Sequence, residues 1–402
     1  MENLTGGTPP VRYLPCVVPC KLYFSGDYIF TGKQGILDFI HQAGCIQYDP
    51  IDICGKNADL VCQSRIKNFN KDILYELLYS DRALIDYPDK NLSIILTEDW
   101  PYFSRYRIAA QFNAARYPGM EVLMKKTISF IEKNGAICSS DLKFEGNIYW
   151  ESSIHWSNSN NLSRAVLEQL YSMGTLIIHH KDGNRKYYDL ASNYINHELW
   201  NIKDPFDDEF KHQKWRMIRR IRSIGLLWNR SSDAWLNIWG LNSRIRNNIF
   251  IQLLEENVIA EVLVDGIKDI LYCCVDELNL LNSILHGKEL NERCEFIAPL
   301  DNLLWDRKLI QAIFNFDYKW EVYTPVANRK FGYYVLPIIY GNNFIGRIEL
   351  IVDKKRKILN FKHIWYEAGV SHPSSIFKEY FNEALIKFAF FNKCKSIKSS
   401  PI

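Results

Sequence analysis

The sequence predicts a mixed α+β protein: three tandem winged-helix motifs followed by a small antiparallel β-barrel. Three observations lead there. A pattern of apolar, three variable, Gly, variable, apolar occurs three times, beginning at Ile40, Ile131 and Ile221. The second and third copies run on into a strand, an Asp-Gly turn and another strand, and from Glu295 onward the chain changes to short apolar and aromatic runs.

In each copy the apolar positions ahead of the glycine recur at helical spacing: Ile36, Leu37, Phe39 and Ile40, then Ile128, Phe130 and Ile131, then Ile218 and Ile221. The glycine reads as the helix stop, and a short extended piece follows it. The second copy is clearest. A helix over Leu162 to Met173 precedes a strand from Thr175 to His180, a Lys181-Asp182-Gly183-Asn184 turn, and Arg185-Lys186-Tyr187-Tyr188. The third repeats this with Val258 to Val264, Asp265-Gly266, and Ile267 to Cys274. Helix, short strand, helices and a two-stranded wing make the winged-helix arrangement, whose usual partner is nucleic acid. The three units are placed at residues 10–120, 121–204 and 205–285. Residues 290–402 hold the barrel, closed by a helix from about Ser375 to Phe391, with Lys393 to Ile402 frayed.

Composition narrows the function. An apolar fraction of 47% over 402 residues supports sizeable cores and excludes a disordered chain. A formal net charge of +3 is too small to make nucleic-acid binding a bulk property, so any such surface must come from local clusters. The ten cysteines, including Cys16, Cys20 and the adjacent Cys273-Cys274, fit neither a paired zinc pattern nor a secreted disulfide scaffold. With no targeting pattern and no apolar run of membrane-span length, the reading is a cytoplasmic protein with reduced thiols. His41, His179 and His180 lack metal-ligand spacing, and no phosphate loop, Gly-x-Ser-x-Gly elbow or CxxC pair occurs, so neither metal nor cofactor is expected.

The chemistry concentrates at Cys45-Ile46-Gln47-Tyr48-Asp49-Pro50-Ile51-Asp52. Pro50 keeps Asp49 out of the helical region, and in an extended chain Ile46 and Tyr48 face one side while Gln47 and Asp49 face the other. A carboxamide and a carboxylate then stand together. The plain alternative is a strand end capping the next helix. Against it, the other two copies carry Cys138-Ser139-Ser140 and Trp228-Asn229-Arg230 at the matching positions, so the scaffold does not demand the pair. Candidate phosphate contacts are the basic helix with Lys211, Lys214, Arg216, Arg219, Arg220 and Arg222 around Trp215, then Arg185 and Lys186 on the second wing, Lys56 and Arg65 near the pair, and Arg329-Lys330 at a turn. For each, a solvated face or turn is the competing reading. Asp301, Asp306 and Arg307 read as structural ion pairs bracing the barrel.

Four segments in this order, Gln47-Tyr48-Asp49-Pro50-Ile51, Ser64-Arg65, Asp301-Asn302-Leu303-Leu304-Trp305-Asp306-Arg307 and Arg329-Lys330-Phe331-Gly332-Tyr333-Tyr334-Val335-Leu336-Pro337, resemble the AlkZ/YcaQ winged-helix DNA glycosylases over most of the chain. The resemblance implies three winged-helix motifs, a C-terminal β-barrel, and removal of N7-alkylated guanine with unhooking of interstrand crosslinks in DNA repair. Gln47-Tyr48-Asp49 matches the Gln-apolar-Asp motif of the YcaQ branch, which makes Gln47 and Asp49 the implied catalytic residues. Arg329-Lys330 corresponds to a barrel hairpin thought to press toward the minor groove. The expected partner is double-stranded DNA carrying alkylated or crosslinked guanine, and the expected protein is a monomeric, monofunctional hydrolase. The competing class is a non-enzymatic winged-helix regulator, which accounts for the wings but leaves the unrepeated Gln-Tyr-Asp and the barrel unexplained.

Overall fold

The structure, a computed structural model, describes residues 11–13, 26–151, 158–286, 291–368 and 374–398, so Cys16 and Cys20 lie outside the described residues. The chain forms two compact units, Met1–Leu74 with Gln213–Ile402, and Tyr75–His212.

The triple repeat is visible in individual hydrogen bonds. Helices Gly32–Ala43, Met120–Asn134 and Glu209–Ile224 each end at a glycine with positive φ: 76° at Gly44, 75° at Gly135 and 98° at Gly225. Each glycine N–H donates to the carbonyl four residues back, on Ile40, Ile131 and Ile221, at 2.8 Å in all three. A left-handed residue here ends the helix while satisfying a terminal carbonyl, and glycine is the residue that adopts it without strain. The extended piece after the stop is short. It is the strand Ile46–Gln47 in the first copy, Leu227–Trp228 in the third, and in the second a bridge between Ile137 and Tyr188.

Helices Asn57–Gln63, Leu162–Ser172 and Ser243–Glu255 come next. Antiparallel hairpins Leu176–Asp182 with Arg185–Leu190, and Ile259–Val264 with Leu271–Cys274, stand where the two wings are expected. A third hairpin pairs Leu84–Asp89 with Asn91–Leu96, turning at Lys90 with Asn91 at φ 59°. This hairpin belongs to the Tyr75–His212 unit, whereas the two helices of the first repeat lie in the other. In that second unit an aromatic cluster of Tyr87, Trp100, Phe103, Tyr171 and Tyr188 forms the core, with ring centroids 5.3–6.0 Å apart at steep angles. Such edge-to-face pairs add about 0.5–1.5 kcal/mol each beyond their buried area.

The C-terminal region, expected as a small antiparallel barrel or sheet, forms a curled sheet that does not close among the described residues. Its five strands run in the order Cys294–Phe296, Val335–Tyr340, Asn343–Asp353, Ile358–Tyr366 and Ser396–Lys398, an open sheet whose two edge strands do not pair with each other. Three-residue edges offer too short a ladder to close, and the last strand lies parallel to its neighbour. Bulges at Ile338/Ile339 and Glu349/Leu350 bend the sheet. The helix Ser375–Phe391 falls where the sequence places it and packs Phe381 and Phe388 edge-on against Phe296. Ser396–Lys398 corrects the expectation of a frayed end, because main-chain pairing to Ile358–Asn360 orders it.

Candidate active site

The Gln47 to Asp49 segment sits on a backbone fixed from three directions. Arg219 donates to the Gly44 carbonyl at 2.5 Å, Asn302 Nδ2 to the Cys45 carbonyl at 3.2 Å, and Asn57 Nδ2 to the Gln47 carbonyl at 2.7 Å. Asn57 Oδ1 in turn accepts the Leu300 N–H at 2.9 Å, and Asn302 Nδ2 also reaches Ser223 Oγ. A two-residue strand is too short to hold its own geometry, and these side chains supply the missing restraint.

Within this frame the two side chains differ. Ile46 and Tyr48 enter the core as the alternation requires, but Gln47 is also buried, with 5% of its surface exposed. Asp49 is half-buried and opens toward solvent. Its Oδ1 accepts the Ile51 N–H at 2.9 Å, and the Tyr323 phenol lies close enough to the same carboxylate to favour its anion. Burial pushes the Asp49 carboxyl above the usual carboxylate range, against the lowering effect of those two neighbours. Past Asp49, Asp52 accepts the Gly55 N–H at 3.1 Å and pairs with Lys354 at 2.8 Å, so the turn leading to helix Asn57–Gln63 is tied to the C-terminal sheet.

Tyr323 escaped the sequence reading because nothing local marks it. It is 77% exposed, rests edge-on against Trp320 with centroids 5.8 Å apart, and begins a loop that ends at Tyr334. One buried carboxylate organises that loop. Glu321 accepts the backbone N–H groups of Lys330, Phe331 and Gly332 at 2.8, 2.9 and 3.3 Å. Burial alone would raise the Glu321 carboxyl, and the three N–H donors outweigh it and hold it below the usual value. Glu321→Ala is therefore expected to release the loop: amide hydrogen exchange at Lys330–Gly332 should quicken at least about tenfold, corresponding to roughly 1.5–3 kcal/mol for hydrogen bonds to a charged acceptor. Unchanged exchange would show that the loop is held by other contacts.

The expected phosphate contacts divide sharply. Arg65 is fully buried and forms a two-pronged ion pair with Asp301, both bonds 2.7 Å, so it cannot meet a phosphate. Arg216 and Arg220 are 0% and 1% exposed, with Arg220 against Cys45 Sγ and over the Trp305 ring. These three correct the sequence reading: Arg65 is consumed by its ion pair, and the face of the basic helix that carries Arg216 and Arg220 is turned inward. Arg219 is half-buried on the Gly44 carbonyl and over Trp215, and Lys214 pairs with Glu256 at 2.7 Å. Lys56 is half-buried at the N-cap of helix Asn57–Gln63. On the second wing Arg185 is exposed, while Lys186 pairs with Glu168 at 2.9 Å. Arg329 lies 4.9 Å from the Tyr333 ring and donates to the Thr324 carbonyl, and Lys330 is exposed at the loop tip. Asp301 and Asp306 act structurally, Asp306 capping helix Arg307–Phe314 and accepting the Trp228 indole N–H at 2.7 Å.

No helix among the described residues is long and apolar enough to cross a membrane. A family model described as DNA glycosylase AlkZ-like matches residues 40–391. Among solved structures, the chain is similar to the Streptomyces sahachiroi DNA glycosylase AlkZ, with a TM-score of 0.61 at 12% identity over 96% of this chain and 98% of that one. At that identity the likeness establishes a shared fold.

Proposed function

Because the chain belongs to the AlkZ-like DNA glycosylase family, we propose that it hydrolyses the N-glycosidic bond of N7-alkylguanine-type lesions and unhooks interstrand crosslinks, with Gln47 and Asp49 at the reacting sugar. The observation that carries this reading is the half-buried Asp49 carboxylate, two residues past a strand whose backbone Arg219, Asn302 and Asn57 hold.

Loss of a cationic base leaves positive charge on the deoxyribose. An anion roughly 4 Å away lowers that barrier by about 4 kcal/mol at an effective dielectric near 20, about a thousandfold in rate. The same carboxylate can take a proton from the attacking water, a role credited with about 10² to 10⁴. Gln47 cannot transfer protons, so its amide is proposed to hold that water, lowering the entropic cost of alignment. A departing base that is already cationic needs no protonation, which favours cleavage without deep extrusion of the nucleotide. Monofunctional chemistry fits the absence of a lysine beside Gln47 and Asp49 in the sequence. The proposed backbone contacts are Lys56, Arg185, Arg329 and Lys330, with Lys186, Lys214 and Arg219 contributing if they exchange their present partners for phosphate. The three hairpin-bearing segments are read as winged-helix motifs. The deciding experiment is base release from a duplex containing N7-methylguanine, compared between the wild type and Asp49→Asn; tight binding to one unmodified sequence without release would favour a regulator instead.

The acid side of the reaction carries a second expectation. Asp49 works ionised, and its carboxyl is raised, so activity should fall on acidification at a pH above the ordinary carboxylate value of about 3.9. Tyr323→Phe removes a phenol whose hydroxyl favours the anion and should move that acid limb to still higher pH, while leaving the high-pH plateau within a few-fold. A limb that stays in place would show that the phenol does not govern the ionisation.

A further inference from the structure

The loop that starts at Tyr323 and ends at Tyr334 carries the rings of Tyr323, Phe331 and Tyr333. Two of these already hold a cation: Arg347 lies 4.2 Å from the Phe331 centroid, and Arg329 4.9 Å from that of Tyr333. Among the described residues no guanidinium or ammonium covers Tyr323, although 77% of it is exposed. A single exposed ring is ordinary. This one differs in how it is mounted and in what it stands beside.

Tyr323 occupies a turn that is fastened on both sides. The Thr324 N–H donates to the Glu321 carbonyl at 2.9 Å, and the Thr324 carbonyl accepts from Arg329 Nε at 2.9 Å. The Glu321 carboxylate, two residues before the ring, gathers the N–H groups of Lys330, Phe331 and Gly332, and Trp320 meets the ring at 81°. An exposed π-face on a fixed turn needs little ordering when something binds it. The phenol also lies close to the Asp49 carboxylate, whose anion its hydroxyl favours. Carboxylate and π-face attract positive charge by different physics, the first as a point charge and the second through the ring quadrupole.

We propose that Tyr323 is a specificity-determining residue, whose ring face receives the formal positive charge of an N7-alkylated base while Asp49 faces the sugar. With its hydroxyl toward the carboxylate, the ring extends away from it, and the base is the group next to the sugar. An unalkylated guanine offers the same ring area for stacking but no charge for the quadrupole to attract. The proposal rests on the reading that places Asp49 at the reacting sugar.

Two duplexes test it, both made resistant to hydrolysis by a 2′-fluoroarabino sugar at the lesion. One carries N7-methylguanine, a cation, and the other 7-methyl-7-deazaguanine, a neutral base of the same outline. The quantity read is the ratio of their dissociation constants for the full chain at neutral pH, measured by fluorescence anisotropy. The wild type should favour the cation, and Tyr323→Leu should shrink the ratio by about threefold if the ring stays solvated and up to about thirtyfold if it is desolvated. Tyr323→Phe should keep the ratio within about twofold because the face survives, and Tyr323→Trp should raise it. Equal binding of both duplexes by the wild type overturns the proposal. So does a ratio that Tyr323→Leu leaves unchanged, which would reduce the ring to plain stacking, or one that falls as far in Tyr323→Phe, which would place the effect in the hydroxyl. Each of these failures is compatible with base release by the wild type and its loss in Asp49→Asn, so it is separable from failure of the proposed reaction.

Discussion

Asp49→Asn is expected to lower the rate of base release from an N7-methylguanine duplex by at least about tenfold, and by up to about a thousandfold if the full electrostatic term is lost. Asparagine fills the same space and can still accept the Ile51 N–H, so the loss isolates the negative charge. Folding should not suffer. The Asp49 carboxyl is raised in the folded state, so this group contributes stability below its unfolded value and loses it as pH rises through the folded one. At neutral pH the asparagine variant should therefore melt no lower than the wild type. A variant with wild-type base release removes Asp49 from the chemistry, whereas lost activity with a lowered melting temperature points to misfolding.

The other large effect is expected at the Arg65–Asp301 pair. Both side chains are fully buried and share two bonds of 2.7 Å. Asp301→Ala would strand a guanidinium in the core, at a cost of about 3–5 kcal/mol, readable as a lowered urea midpoint at constant slope. Replacing both partners by apolar residues, Arg65→Met with Asp301→Leu, should recover most of that loss, because the stranded charge and not the missing attraction dominates. A single-variant cost below about 1 kcal/mol would mean that the pair does not matter to stability. Asp301 also caps the Asn302–Leu304 turn, and Asn302 holds the Cys45 carbonyl, so the alanine variant should lose activity beyond what its folded fraction explains.

What could be read from the sequence was local. The three glycine stops follow from spacing within one helix each, and the Asp-Gly hairpins from two turn residues between apolar runs. The basic helix could not be read that way. Its composition says that a cationic face exists but not what it faces: Arg216 turned out to be fully buried, and Arg219 and Arg220 to serve the packing around Gly44 and Cys45. Sheet closure was equally hidden, since it depends on whether two short edge strands meet. Tyr323 and Glu321 lie in a stretch without periodicity or motif; only the fold brings the phenol to Asp49 and the carboxylate to three backbone N–H groups. Gln47 was expected to stand open beside Asp49, and its burial shows that alternation along two residues cannot say whether both faces are covered.

The side chains that steady Gly44, Cys45 and Gln47 have a consequence for biosynthesis. Arg219 and Asn302 stand 175 and 257 residues downstream of the carbonyls they grip, and Leu300, which fixes Asn57, is 243 residues beyond it. A ribosome must therefore deliver about three quarters of the polypeptide before the segment around Gln47 is locked in place. An N-terminal fragment released early would carry the Gln-Tyr-Asp sequence yet lack the scaffold that aims it.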